Sequence, residues 1–228
     1  MTWVLANLDR LLSLTLEHLY FSVIPVVLGL VLAIPIGWAA GLRPAVRAVL
    51  VNVSGLLYTV PSIALFVLMP VVLGTQIRSQ VNVFAALTIY TLALLVRTVA
   101  DGLSAVPSGV VDAATAMGYG RVRRFLEVEL PLAVPVIVAG LRVAAASTVS
   151  LVTVAALVGF ANLGSLFTDG FQRDIPQSVV AGIVLVLLVA LVLDRIIVYV
   201  GRLLTPWTRV TSRPARVVAR PASPEVAP

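Results

Sequence analysis

One polar island interrupts an otherwise apolar chain: DAATAMGYGRVRRFLEVELP, from Asp112 to Pro131. It opens on an acid, Asp112, followed by the small residues Ala113 and Ala114, and it holds Gly118 and Gly120, where a turn forms without β-carbon strain. Val111 to Met117 is helix-competent, Arg121 to Leu130 can form a second short helix, and Pro131 suits the first turn of a helix that follows. That order predicts a helix-turn-helix at a bilayer surface, with Met117, Tyr119 and Phe125 as apolar anchors for a groove on another protein. An amphipathic loop lying on lipid is the alternative reading of the same residues. What these residues offer is contact, with another protein or with the bilayer surface. Catalysis has little to work with: there is no cysteine, a lone His18 builds no metal site by itself, and the absence of lysine rules out a G-x-x-x-x-G-K-[ST] phosphate loop. The chain is expected to be non-enzymatic, without a metal or cofactor of its own, and to draw any energy from another polypeptide.

The elements that must position the island are membrane spans. With 60% hydrophobic and 11% charged residues in 228, the chain is an integral membrane protein and not a soluble domain. Lipid offers backbone N–H and C=O groups no partners, so each crossing needs about 20 mostly apolar residues in a helix. Five stretches qualify, at about 18–41, 46–74, 81–100, 132–160 and 178–200, giving an all-α transmembrane domain over 18–204. The second is long enough to tilt or break at Pro61 and Pro70. Residues 1–17 lack the basic start and cleavage site of a signal peptide and read as an interfacial segment. Residues 205–228, rich in Arg, Pro, Ala and Ser, read as a disordered basic tail that can rest on anionic lipid.

All cationic residues are arginines, and their placement sets the orientation. With the N-terminus outside, Arg43, Arg47, Arg121, Arg123, Arg124, Arg202, Arg209, Arg213, Arg216 and Arg220 face the cytoplasm, against Arg10, Arg78 and Arg173 outside. An N-out, C-in arrangement follows, with the loop 101–131 cytoplasmic. The computed pI near 10.7 does not indicate nucleic acid, because no solvated basic domain exists.

Charges inside spans cost about 2.5–3.5 kcal/mol at a helix centre and need partners. Arg97 with Asp101, four apart on one face, and Arg142 with Asp194, at similar depth, are the expected ion pairs. Interhelical glue or snorkelling explains them better than contact with a solute. Pro61 removes a backbone donor, so Tyr58, Thr59, Pro61 and Ser62 are candidates for a translocation path, with a simple kink as the alternative. The small residues Ala139, Gly140, Ala144, Ala145, Ala146 and Ser147 are expected to let their span pack closely on a neighbour, in this chain or in a second one.

The island resembles the coupling loop of permease subunits of binding-protein-dependent ABC importers, whose pattern is E-A-A, three residues, Gly, nine residues, then Ile-x-Leu-Pro. Asp112, Ala113 and Ala114 stand at E-A-A, Gly118 follows, and Val128, Leu130 and Pro131 close the motif, with Asp for Glu and Val for Ile. The resemblance implies a type I importer permease fold, methionine-permease-like, in which Asp112, Ala113, Ala114, Met117, Gly118, Tyr119, Arg121, Phe125, Leu130 and Pro131 dock into a cytoplasmic ATPase dimer. ATP and Mg would be bound by that ATPase. Two further stretches, TVPSIALF from Thr59 and GFANLGSLFTDGF from Gly159, resemble importers of glycine betaine, choline and carnitine. From that resemblance follow an extracytoplasmic solute-binding protein, with Asp169, Arg173 and Asp174 as its landing surface or as a plain hydrated loop, a second permease, identical or homologous, and a bacterial cytoplasmic membrane. Methionine or another amino acid is the alternative cargo, and a secondary transporter or channel subunit the competing class.

Overall fold

The structure, a computed structural model, describes residues 2–209. It is helical throughout those residues. A short α1 (Thr2–Ala6) precedes α2 (Leu8–Ala40), then α3 (Pro44–Thr59), α4 (Ser62–Leu73), α5 (Gln80–Ser104), α6 (Ser108–Ala116), α7 (Arg121–Arg124), α8 (Leu130–Val154), α9 (Ser165–Gln172) and α10 (Pro176–Leu204). Four runs are long and apolar enough to cross a membrane: α2, α5, the continuous stretch from Arg121 to Val158 that contains α8, and α10. The pair α3 and α4 passes the same test jointly but is bent by 106°.

Several boundaries differ from the sequence expectation for identifiable reasons. α2 begins at Leu8 and absorbs much of the expected interfacial segment 1–17, because Leu11 and Leu14 are buried against Val149, Leu163, Leu166 and Val189. The expected stretch 46–74 breaks sharply at Val60–Pro61, where Pro61 has no N–H to continue the helix and Val60 is extended at ψ 132°. Pro70 breaks nothing; it sits inside α4 and its carbonyl accepts from Thr75. The expected span 132–160 stops as an α-helix at Val154 and tightens into a 3-10 turn, Ala155–Val158, closed by Gly159 at φ 90°. Beyond residue 209 the expected basic tail lies outside the described residues.

α5 is the spine, contacting α2, α3, α4 and α8. Gly29, Ala33 and Gly37 recur every fourth residue on α2 and bring its backbone onto α5; a β-carbon at Gly37 would lie 2.6 Å from Val99 Cγ1. α8 closes on α5 by the same device, since a β-carbon at Gly140 would fall 2.2 Å from Thr98 Cγ2. Gly140 and Ala144 are thus spent inside the subunit and not on a second permease, while Ala139 and Ala146 remain exposed. Buried Thr91 and Thr148 join α5 to α8 through their hydroxyls, 3.0 Å apart: one donates to the other, and the acceptor donates to the carbonyl four residues back on its own helix. His18 is a core residue, fully buried and facing the Val149 backbone and the Asn162 side chain, although neither ring nitrogen completes a hydrogen bond of good geometry.

The α3–α4 elbow is clamped from α5, where the Tyr90 hydroxyl donates to the Val60 carbonyl that the break leaves exposed. Tyr90→Phe should cost about 1 kcal/mol, read as a lower unfolding temperature in detergent. Gly37→Leu should cost about 1–3 kcal/mol by overpacking, whereas Gly55→Ala, whose β-carbon meets nothing within 4 Å, should not lower the same unfolding temperature.

Candidate functional site

The island begins with α6, whose amphipathic arrangement turns Ala114 inward and leaves Asp112, Ala113 and Met117 exposed. α6 is stopped by Gly118 at φ 86°, a left-handed conformation that a side chain would strain. The Tyr119 N–H reaches back to the Ala114 carbonyl at 3.1 Å and the Gly118 N–H to Thr115, so the helix end is closed by backbone groups. Gly120 keeps an ordinary negative φ and precedes α7. The glycine that the turn requires is therefore Gly118.

The return segment is not the separate second helix that the sequence suggests. α7 passes through a single π turn, Phe125–Glu129, directly into α8. The cause is Pro131, whose ring collides with the carbonyl four residues earlier and which donates no hydrogen bond. A wider turn relieves both problems, and the Leu130 N–H accordingly bonds to the Phe125 carbonyl five residues back. Pro131 sits in the first turn of α8, as the sequence suggests, and α8 itself continues without a break from the π turn before it.

Phe125 also departs from the expected role. It is buried, and its ring stacks on Trp38 at the end of α2, centroids 4.8 Å apart. Of the three expected anchors, Met117 alone is strongly exposed, at 71%; Tyr119 is half-buried with the Arg123 guanidinium 4.5 Å above its ring. Arg124 ties the two arms together, donating to Thr115 at 2.7 Å and to Glu129 at 2.6 Å, while Arg123 pairs with Glu127 at 3.1 Å. Arg121 points outward, and Leu130 and Pro131 are half-buried where the island joins the bundle. The result is a braced ledge: an acidic, Met-bearing outer edge, and an inner edge fastened to α2 and α8. Trp38, Arg124 and Thr115 were not legible as partners in the sequence; only proximity in the fold pairs them.

The other expected residues fall into separate places. Tyr58, Thr59, Pro61 and Ser62 gather at the α3–α4 elbow, where Tyr58 meets Tyr90 edge-on at 6.1 Å and the Thr59 hydroxyl donates to the Leu56 carbonyl at 2.7 Å. Asp101 is shared: its shorter contact, 2.8 Å, is to Arg47 of α3, and the expected Arg97 lies 3.7 Å away. Arg142 grips both Asp194 oxygens, at 2.6 and 3.2 Å, joining α8 to α10. Asp169 does not present a free charge, because Arg10 of α2 binds it; Arg173 and Asp174, the latter at φ 54°, are exposed beside it. Among the described residues no cluster of three or more His, Asp or Glu side chains could hold a metal ion.

The chain has known relatives in sequence and in fold over most of its length. The osmoprotectant import permease protein OsmW of Salmonella typhimurium is 31% identical over 207 residues, 90% of this chain and 96% of its own length. The glycine betaine/carnitine/choline transport system permease protein OpuCB of Bacillus subtilis is 29% identical over 90% of this chain and 94% of its own. In fold the chain is similar to the inward-facing MetNI methionine ABC transporter, with a TM-score of 0.70 at 22% identity, covering 86% of this chain and 98% of that one. Residues 25–206 match the family described as binding-protein-dependent transport system inner membrane component, and the chain belongs to that family.

Proposed function

We propose that this permease imports quaternary ammonium osmoprotectants, such as glycine betaine, choline and carnitine, as the membrane subunit of an ATP-driven transporter fed by a separate solute-binding protein. The ledge carries the reading. Asp112, Ala113, Ala114 and Gly118 stand at the constrained positions of the coupling pattern, with Asp for Glu, Met117 is exposed beside them, and the inner edge is fastened to α2 through Phe125 and runs into α8 through the π turn. Closure of a docked ATPase dimer would push on Met117 and be carried into α2 by the Trp38–Phe125 stack and into α8 by the π turn. Relatives named for osmoprotectants, matched over nearly their full lengths, support the cargo. The likeness to a methionine transporter, at 22% identity, speaks for fold alone.

The arginine distribution supports an N-out orientation with the ledge in the cytoplasm of a bacterial inner membrane. At the opposite end, Arg173 and Asp174 offer exposed charges for the binding protein, with Asp169 held in reserve by Arg10. The break between α3 and α4, with Tyr58 and Thr59 exposed and Ser62 beside them, supports a role for these polar groups along a translocation path.

The test is uptake of labelled glycine betaine and choline by cells carrying the whole transporter. Wild type should accumulate both; failure to accumulate either discards the cargo. Gly118→Val, which forces a β-carbon into a left-handed position, should abolish uptake while the protein still inserts, and normal uptake by the inserted variant would remove the coupling role. Trp38→Ala should leave ATPase co-purification intact and lower uptake per ATP hydrolysed, because docking survives while the link to α2 is lost.

A further inference from the structure

At the end of the bundle away from the ledge, a cavity of about 300 Å³ opens between α2, the loop before α5 and the turn after α8. Its walls are Glu17, Phe21, Arg78, Gln80, Gly159, Phe160 and Ala161. The composition is unusual for a mouth among apolar helices. Phe21 and Phe160, buried and edge-to-face at 5.9 Å, form the floor. Glu17 and Arg78, both exposed, stand on the walls, and among the described residues neither is in an ion pair. Two opposite charges sharing one small cavity without closing on each other leave room for a guest between them.

The loop that carries Arg78 is built, not loose. Asn82 at the start of α5 donates to the Gln76 carbonyl at 2.9 Å and receives the Thr75 hydroxyl. Opposite it, Gly159 at φ 90° ends the 3-10 turn, and a β-carbon there would lie 3.9 Å from the Arg78 Nε and Nη2. The turn after α8 thereby brings bare backbone up to the guanidinium and keeps the cavity open beside it.

We propose that this cavity is a receiving site for a small zwitterion bearing a quaternary ammonium and a carboxylate, a site within the permease itself and separate from any binding protein. The ammonium, which has no N–H to donate, is held by the Glu17 charge, with its methyl groups on the apolar floor of Phe21 and Phe160. The carboxylate takes the Arg78 guanidinium and the Gln80 side-chain amide. The inference rests on the cargo proposed above and adds a discrimination to it: a solute without a carboxylate, such as choline, uses the Glu17 half of the site alone.

That asymmetry supplies the experiment. Uptake of glycine betaine, carnitine and choline is measured at saturating solute in cells carrying the whole transporter, normalised to inserted permease. Arg78→Ala should lower glycine betaine and carnitine uptake about tenfold relative to choline, and Arg78→Gln, which keeps the loop's bulk, should give the same split. Glu17→Gln should lower all three by a similar factor, with partial recovery in Glu17→Asp. Equal loss for all solutes in both Arg78 variants would mean that Arg78 serves folding or docking, and the site falls. Unchanged uptake in the Arg78 and Glu17 variants overturns it equally. If wild type imports no quaternary ammonium compound, the cargo itself is wrong and this site falls with it.

Discussion

Hydrocarbon gives a polypeptide backbone nothing to bond to, and each departure from regular helix in this protein is made tolerable by a specific compensation. At Val60–Pro61 the chain turns by 106°, and a tyrosine from the neighbouring helix reaches over to take the freed carbonyl. Ahead of Pro131, where the island enters α8, the helix widens by one residue instead of breaking, and the Leu130 N–H finds the Phe125 carbonyl. The two prolines meet the same constraint and resolve it differently, because one has a hydroxyl in reach while the other has a continuous helix on both sides. Where the protein bends and where it stays continuous both follow from this.

The second organising feature is close approach. α2 and α8 lie against α5 because glycines replace side chains at the crossing points, so α5 is fixed on both flanks. Elements that escape this grip are the ones with functional assignments: the elbow, the ledge, and the turn after α8. The elbow and the turn after α8 share one apolar cluster, where Leu65, Phe66 and Met69 of α4 meet Ala155 and Phe160, and named polar or aromatic contacts fix each element on top of that burial. Such contacts are directional, and they let a segment move as a unit without dissolving its seat.

The sequence made the membrane class, the approximate spans and the island legible, because hydropathy and motif spacing are local properties. Gly118 could be assigned a turn from its neighbours alone. Gly120 looked equivalent on the page, and only its backbone angle separates the two. Phe125 read as an anchor for a partner since nothing in sequence places Trp38, 87 residues earlier, against its ring. Asp101 was paired with the arginine four residues before it, whereas a closer one arrives from α3. Asp169 read as a free surface charge for lack of any local sign of Arg10. In each case the missing information is a contact between residues distant in sequence, which periodicity cannot supply.

The pairing of Arg124 with Glu129 has a geometric meaning of its own. Positions five apart on an α-helix point about 140° away from each other, and they come nearly into line only across a turn bonded five residues back. This ion pair, largely sheltered, is brought into line by the π turn, and the turn in its place is stitched by the pair. Straightening one undoes the other. The ledge cannot swivel about the axis of α8 by small degrees; it is keyed to that helix in one angular setting, and a thrust applied to it travels along the rod as displacement instead of being lost as twist.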